Sequence, residues 1–270
     1  MTRRPLDQEL VRRGLVETPA DARKLIDSGR VTVGGRSTVK AETLVAPSES
    51  LAVEREARSY ASRGGDKLAA ALDRFGIDPS GRRCLDAGAS SGGFTDVLLV
   101  RGAAQVVAVD VGYGQLAWEL RRDDRVIVME RTNARDLVPR DLPFSPDLVT
   151  ADLSFISLTK VMPALLEVVA KDADMILLVK PQFEAARGEV GPGGVVDDPS
   201  VWRRALGSVI EAALDAGAGP LGVMASPLPG PAGNVEFFLH ARAGVRPTGM
   251  DVEAALAEGE KLRRVRGEAS

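Results

Sequence analysis

The chain has 270 residues, 44% hydrophobic and 27% charged, with a formal net charge of −3; that length holds a substantial core, one main domain and something small beside it. One cysteine (Cys84) and one histidine (His240) exclude a disulfide framework and a zinc cluster, and both sit in apolar runs where they read as core fillers. No apolar run approaches the ~18 residues of a membrane span and no apolar block follows the basic N-terminus, so a cytoplasmic chain without metal or membrane span is expected.

Charge is uneven along the chain. Residues 1–40 hold nine Lys and Arg against five Asp and Glu, so the head is positive and the remainder carries more than the whole negative balance. A basic head on an acidic body points to a polyanionic partner for the head. Leu6, Leu10, Val11 and Leu15 mark a short amphipathic helix. Thr18-Pro19-Ala20 opens a second, with Thr18 as N-cap, Pro19 at the first helical position, Ala22, Leu25 and Ile26 on its apolar face, and Gly29 as its stop. Arg30 to Arg36 then reads as a strand entering a glycine hairpin. Two helices and a small sheet studded with Arg3, Arg4, Arg12, Arg13, Arg23, Lys24, Arg30 and Arg36 suit a structured RNA, and these eight are the candidate RNA contacts. The Leu25-x-x-x-Gly29-x-Val31-x-Val33-x-Gly35 pattern resembles the alpha-L RNA-binding domain named after small-subunit ribosomal protein four. The unit is expected over 1–56.

Residues 57–66 are small, polar and basic and read as a linker, with a second domain over 67–270. A helix is expected from near Gly65 to Phe75, carrying Lys67 toward the ligand edge of the sheet that follows.

Cys84 to Thr95 is the stretch around which the rest is organised. An apolar run closes on Asp86, glycines make a turn, and Phe94 to Arg101 resumes at helical spacing, giving strand, tight turn and helix. Such a turn aims backbone N–H groups and a positive helix end into the crevice beyond the strand tips, where open α/β sheets bind nucleotide-like ligands. A second strand, Gln105 to Asp110, ends in a carboxylate placed to accept the two hydroxyls of an adenosine ribose. The glycines run D-x-G-x-x-x-G-G rather than G-x-G-x-x-G, and Asp86 beside the turn would repel a pyrophosphate. A cationic ligand, S-adenosylmethionine, suits such an acidic lip better; a generic doubly wound domain holding a dinucleotide is the alternative. Candidate cofactor contacts are Asp86, Gly88, Ser91, Gly92, Gly93 and Phe94 from the turn, with Asp110, Asn133 and Asp152 from later strand exits.

Gly112 to Gln115 reads as a flexible loop able to fold over the cofactor, followed by a helix containing Trp118. Strands are expected at Arg125–Met129, whose exit carries Asn133 toward an adenine edge, and at Asp147–Ala151, whose exit is Asp152-Leu153-Ser154-Phe155-Ile156. No Asn/Asp-Pro-Pro-Tyr/Phe stands at that exit, which argues against an exocyclic amine as target. Strand Asp174–Val179 ends in Lys180, a costly residue at a partly desolvated strand tip unless it has a task. A glycine-rich flap over Arg187–Val196, a helix over Ser200–Ala216 and a strand over Leu221–Ala225 follow. The Pro/Gly connection Pro227–Asn234 implies a hairpin, so the last strand, Val235 to His240, is antiparallel and brings Glu236 to the edge that holds Asp152 and Lys180. One more helix, about Met250 to Leu262, closes the chain. The fold class is therefore α/β: a Rossmann-like, mostly parallel sheet with its last strand antiparallel, plus a small N-terminal α+β domain.

Lys67, Asp152, Lys180 and Glu236 thus face one side of the crevice and are the candidate catalytic set. Lys180 can take the proton of a ribose 2′-hydroxyl as that oxygen attacks a sulfonium methyl; Lys67 disfavours a second positive charge, and the carboxylates orient the pair. The order Lys-Asp-Lys-Glu resembles the tetrad of FtsJ-type ribose 2′-O-methyltransferases. With Ala151-Asp-Leu-Ser-Phe-Ile-Ser157, Lys180-Pro-Gln-Phe-Glu184, Gly191-Pro-Gly-Gly-Val-Val196 and Gly233-Asn-Val-Glu236, nearly the full length is similar to the TlyA family. That resemblance implies an S-adenosylmethionine-dependent methyltransferase of cytidine 2′-hydroxyls in 16S and/or 23S ribosomal RNA, linked to cyclic-peptide ribosome antibiotics such as capreomycin. Some members are labelled haemolysins. Tyr60-Ala61 departs from the Trp-Val of some relatives. A membrane-active haemolysin and a noncatalytic RNA-assembly factor are the competing readings.

Overall fold

The computed structural model describes residues 3–16, 18–37, 40–53, 60–247 and 249–268. The chain forms two compact units, Met1–Ser59 and Tyr60–Ser270.

In the first unit, β1 (Arg4–Pro5) leads into α1 (Leu6–Arg12) and α2 (Pro19–Asp27), followed by β2 (Val31–Val33), β3 (Arg36–Ser37), β4 (Leu44–Val45) and β5 (Leu51–Val53). Thr18 caps α2 by accepting the Asp21 N–H at 3.2 Å, with Pro19 behind it, as the sequence predicts. β2 pairs antiparallel with β3 and β5, and β1 with β4. Leu6, Leu10, Ala22, Ile26, Val31, Ala41 and Val45 form its core.

The second unit begins inside the stretch read as a linker. Ala57, Arg58 and Ser59 lie outside the described residues. From Tyr60 on the chain is packed: Ser62 caps α3 (Arg63–Phe75), the Ala61 N–H donates to Asp96 at 3.0 Å, and the Tyr60 side chain fills the space a Cβ would need on Gly65. Strands β6 (Arg83–Ala87), β7 (Gln105–Val109), β8 (Val126–Met129), β9 (Leu148–Ala151), β10 (Asp174–Val179), β11 (Ala218–Ala225) and β12 (Phe237–Ala243) form one sheet in the order β11-β12-β10-β9-β6-β7-β8. All run parallel except β12, which lies antiparallel between β10 and β11.

Helices α4 (Gly93–Val100), α5 (Trp118–Arg121), α6 (Leu158–Val168), α7 (Pro181–Glu184), α8 (Pro199–Asp215) and α9 (Val252–Glu268) complete the unit. Strand residues alternate between two cores, as a sheet covered on both faces requires. Cys84, Val106, Ile176 and Phe238 meet α3, α4 and α5 on one face, while Leu85, Val107, Leu177 and Phe237 meet α6, α8 and α9 on the other.

Several elements differ from the sequence reading. α6 is unforeseen because Pro163 stands inside it as a helix breaker; its buried residues Leu158, Val161, Met162, Leu165 and Val168 keep helical spacing, and Pro163 lies on the exposed side. β11 starts at Ala218 and includes Pro220, which an edge strand tolerates beside the irregularity between Pro220 and Gly222. β12 starts at Phe237, so Val235 and Glu236 are its approach rather than its first residues, and α9 runs to Glu268.

Candidate active site

The turn between β6 and α4 is built as its glycines dictate. The Gly88 and Ala89 N–H groups both donate to the Val109 carbonyl, at 2.8 and 3.0 Å, and the Asp152 N–H donates to Ala87 O at 3.0 Å. Gly88 has φ +87, and a Cβ there would stand 2.5 Å from the Asp152 carbonyl oxygen, so only glycine lets the tips of β6 and β9 close on each other. Gly92 caps α4 from the left-handed region with no side-chain bond.

Two adjoining cavities open above these tips. The smaller, about 250 Å³, is walled by Val109, Leu153, Ile156 and Val161 and carries Asp110, Thr132 and Asn133. The larger, about 600 Å³, holds Lys67, Asp152, Lys180 and Glu236, with Ser91, Gly93 and Phe94 on its floor. Gly88, Ser90, Asp152, Ser154 and Phe155 line both. Asp110 ties two loops together, accepting the Ser90 N–H at 2.8 Å on one oxygen and the Gly112 N–H at 2.6 Å on the other, and each oxygen keeps a lone pair for a hydroxyl. Asn133 accepts the Arg135 N–H at 3.1 Å through its carboxamide oxygen, leaving its NH₂ as the group it can offer a ligand. The loop Gly112–Gln115 is pinned by the Gly114 N–H on Glu130 at 2.8 Å, and Arg131 stacks on exposed Tyr113 at 4.3 Å.

All four predicted catalytic residues line the larger cavity, as two ion pairs. Lys67 Nζ donates to Glu236 Oε2 at 2.6 Å, and both are buried. Lys67 comes from the first turns of α3, whereas Glu236 arrives because β12 is antiparallel and Val179 lies opposite Phe237. Lys180 Nζ stands 2.6 Å from Asp152 Oδ1, a pair by distance that lacks hydrogen-bond alignment, and donates to Ser154 Oγ at 3.0 Å. Phe183 lies against the same ammonium at 5.8 Å. A partly buried set of two lysines and two carboxylates, each lysine with its own acid, is balanced in charge and held ready for proton transfer.

Three predicted residues stand elsewhere. Gly92 lines neither cavity: it caps α4, and a Cβ on it would meet Leu116 and Leu120. Asp86 is fully buried and lines neither cavity: its oxygens accept Thr95 Oγ1 at 2.7 Å and Thr150 Oγ1 at 3.1 Å, sealing β6 to α4 and β9. Burial pushes its carboxyl up to about 7 against the pull of the two threonines. Asp152 and Glu236 are each matched by a lysine, so the acidic group at the cofactor end is Asp110, and the case against a pyrophosphate at Asp86 does not carry over. In the first unit, Arg13 is a brace. Its guanidinium donates to Glu9 at 2.8 Å and to the carbonyls of Ala46, Pro47 and Glu49, sealing the β4–β5 connection onto α1. Arg12 binds the same Glu9 and, with Arg13, holds its carboxyl down to about 2. Arg23 meets Asp7 at 3.0 Å and Lys24 meets Asp21 at 3.9 Å, each keeping an exposed outer face, while Arg3, Arg4 and Arg36 are exposed and Arg30 is half-buried.

Sequence reasoning passed over Asn234 and Ser154, although both lie in the quoted motifs. Buried Asn234 donates to Gly194 O at 2.9 Å and accepts the Val196 N–H at 2.8 Å, and Trp202 Nε1 donates to Val196 O at 2.7 Å. These bonds hold the C-terminal half of the glycine-rich loop, whose Gly193 and Gly194 line the larger cavity. The signal was the short spacing of Asn234 from Glu236.

Residues 60–243 match the model of the FtsJ-like methyltransferase family, and residues 4–50 match the S4 domain. The chain is 56% identical to the 16S/23S rRNA (cytidine-2′-O)-methyltransferase TlyA of Mycobacterium tuberculosis over 88% of this chain and 89% of that one. It is 36% identical to Hemolysin A of Brachyspira hyodysenteriae, over 87% and 98% of the two chains. Among solved structures, a hemolysin-named protein of Streptococcus thermophilus superposes with a TM-score of 0.75 at 36% identity, covering 99% of both chains.

Proposed function

The chain belongs to the FtsJ-like methyltransferase family and, within it, to the TlyA family, and from that premise we propose that it transfers a methyl group from S-adenosylmethionine to the 2′-hydroxyl of a cytidine in 16S and/or 23S ribosomal RNA. The observation that carries this reading is the pair of joined cavities, one shaped for a nucleoside and one holding two lysine–carboxylate pairs.

The residues fit the cofactor. The Asp110 carboxylate is free to take a ribose diol, the apolar walls of the smaller cavity suit an adenine, and Asn133 offers an amide to its edge. The Asp110 carboxylate suits a ribose diol beside a cationic ligand better than a diphosphate laid against it. When bound, the cofactor supplies a methyl on a cationic sulfur. As the neutral amine, Lys180 Nζ takes the 2′-hydroxyl proton, with Asp152 stabilising the ammonium that forms. Lys67 and Glu236 fix the opposite wall and help align the ribose oxygen, since methyl transfer needs alignment more than covalent help. The S4 unit docks the RNA through its exposed basic side chains, Arg3, Arg4 and Arg36 with the outer faces of Arg12, Arg23 and Lys24. Ribosomal RNA as substrate puts the work in the cytoplasm.

The hemolysin names carried by some relatives prompt the second reading. Among the described residues no helix is long and apolar enough to cross a membrane. The joined cavities and the two charge pairs favour the transferase reading.

The test is transfer of labelled methyl to isolated ribosomal subunits, with ribose methylation mapped by mass spectrometry for wild type and Lys180→Ala. Label on a ribose with wild type alone, while Lys180→Ala still binds cofactor and RNA, supports the reading. Equal activity in Lys180→Ala refutes Lys180 as base, and no ribose label from wild type with cofactor bound refutes the reaction.

A further inference from the structure

We propose that Ser154 is a positioning residue that fixes the direction in which the Lys180 amine meets the ribose hydroxyl; this rests on the methyl-transfer reading above. Lys180 has two polar neighbours within reach, and they do different things. Asp152 stands at 2.6 Å without hydrogen-bond alignment, so it supplies charge. Ser154 Oγ accepts a hydrogen bond from Nζ at 3.0 Å, so it supplies direction.

The nitrogen of an amine is tetrahedral. One corner of Nζ is its own Cε and a second is taken by Ser154; Asp152, out of alignment, fixes none, and of the corners left one carries the lone pair that must receive a proton. Lys180 and Ser154 both line the catalytic cavity, so that corner belongs to the substrate. A lysine held only by the unaligned Asp152 contact would rotate about its long stem, and its lone pair would sweep the cavity rather than point. Ser154 suits the task because its exit from β9 is held: the Asp152 N–H donates to Ala87 O at 3.0 Å, two residues before it. Next in the chain, Phe155 at φ +62 packs its ring against Phe183 at 5.2 Å. The hydroxyl itself lies on an exposed residue, so removing it opens no core cavity and orphans no buried partner except the lysine.

The test measures kcat and KM for methyl transfer to ribosomal subunits, with cofactor affinity by calorimetry, in wild type, Ser154→Ala and Ser154→Thr. Ser154→Ala is expected to lower kcat about 10- to 100-fold, the range of a misaligned catalytic group, with KM for the subunit and cofactor affinity within about twofold of wild type. Ser154→Thr, which keeps the acceptor, is expected to recover most of that loss. Unchanged kcat in Ser154→Ala overturns the proposal. So does a loss accompanied by weaker cofactor or RNA binding, which marks a merely structural role, or a loss that threonine leaves in place. Failure of the underlying reading shows separately, as absence of ribose methylation in the wild-type arm.

Discussion

The buried pair Lys67–Glu236 allows the structural and chemical roles of the catalytic set to be separated. Nζ and Oε2 stand 2.6 Å apart, with side-chain exposures of 9% and 1%, so neither charge is screened by water and each is the other's main compensation. Replacing one partner leaves the other charge buried and unpaired, which costs about 3–5 kcal/mol, whereas replacing both by apolar residues of similar volume is often close to neutral. Glu236→Leu and Lys67→Met singly are therefore expected to lower the melting temperature of the second unit by roughly 6–20 °C, at about 2–4 °C per kcal/mol for a domain of its size. The double variant is expected to recover most of that loss, a coupling of at least ~2 kcal/mol, while methyl transfer stays absent in all three. Thermal unfolding followed by circular dichroism and calorimetry, at one buffer and protein concentration, measures the cycle. Small, additive shifts in the single variants would refute the reasoning, because they would mean that water reaches both groups and that the pair is held for chemistry alone.

Two further outcomes follow from neighbouring geometry. Gly88→Ala places a Cβ 2.5 Å from the Asp152 carbonyl oxygen at a φ of +87, so cofactor affinity measured by calorimetry is expected to fall at least about tenfold. Gly114→Ala, at φ +71 with nothing within 4 Å, serves as the control and is expected to change it far less; equal losses would defeat the steric argument. Asp86 concerns pH. Burial raises its carboxyl from 3.8 to about 7, so between those values the folded state keeps a proton that the unfolded chain releases, and Asp86's contribution to stability falls as pH rises. Asp86→Asn is expected to remove that slope, making the variant's gain over wild type larger at pH 8 than at pH 5 in urea unfolding. A gain independent of pH would show that Asp86 does not titrate in this window.

How much was legible in the sequence depended on whether a residue's role follows from its place along the chain or from its partners across it. Lys180 was legible because a lysine at the tip of a buried strand is unusual on its own. Glu236 was legible through one topological step, the short Pro/Gly connection that turns β12 back. Asp86 was misjudged because residue type at a strand tip does not tell which way the carboxylate turns. Its partners, Thr95 and Thr150, come from the following helix and from the neighbouring β9. Arg13 was misjudged for the same reason: a run of arginines looks solvated until the carbonyls of Ala46, Pro47 and Glu49 are seen to converge on one of them. Pro163 hid α6 because proline carries a strong local signal, while its tolerance depends on which side of the helix faces water.

The register of β12 is the step on which the chemistry depends most. Asp152 and Lys180 leave adjacent parallel strands, a placement many open α/β sheets offer. The second carboxylate comes from a strand running the other way, inserted between β10 and β11, with Val179 opposite Phe237. Because side chains alternate faces along a strand, a slip of one residue would move Phe237 and Leu239 out of one core and Phe238 out of the other. The burial of those large side chains therefore fixes the register, and the register fixes where Glu236 emerges. The connection before it is then free to vary only as far as Asn234, which ties it to Gly194 and Val196, and Gly230, where a Cβ would stand 2.5 Å from Glu236 Oε1. The same hairpin that delivers Glu236 to Lys67 also anchors the loop lining the catalytic cavity. Placement of the second charge pair and the lining of the larger cavity are in this way consequences of one core packing.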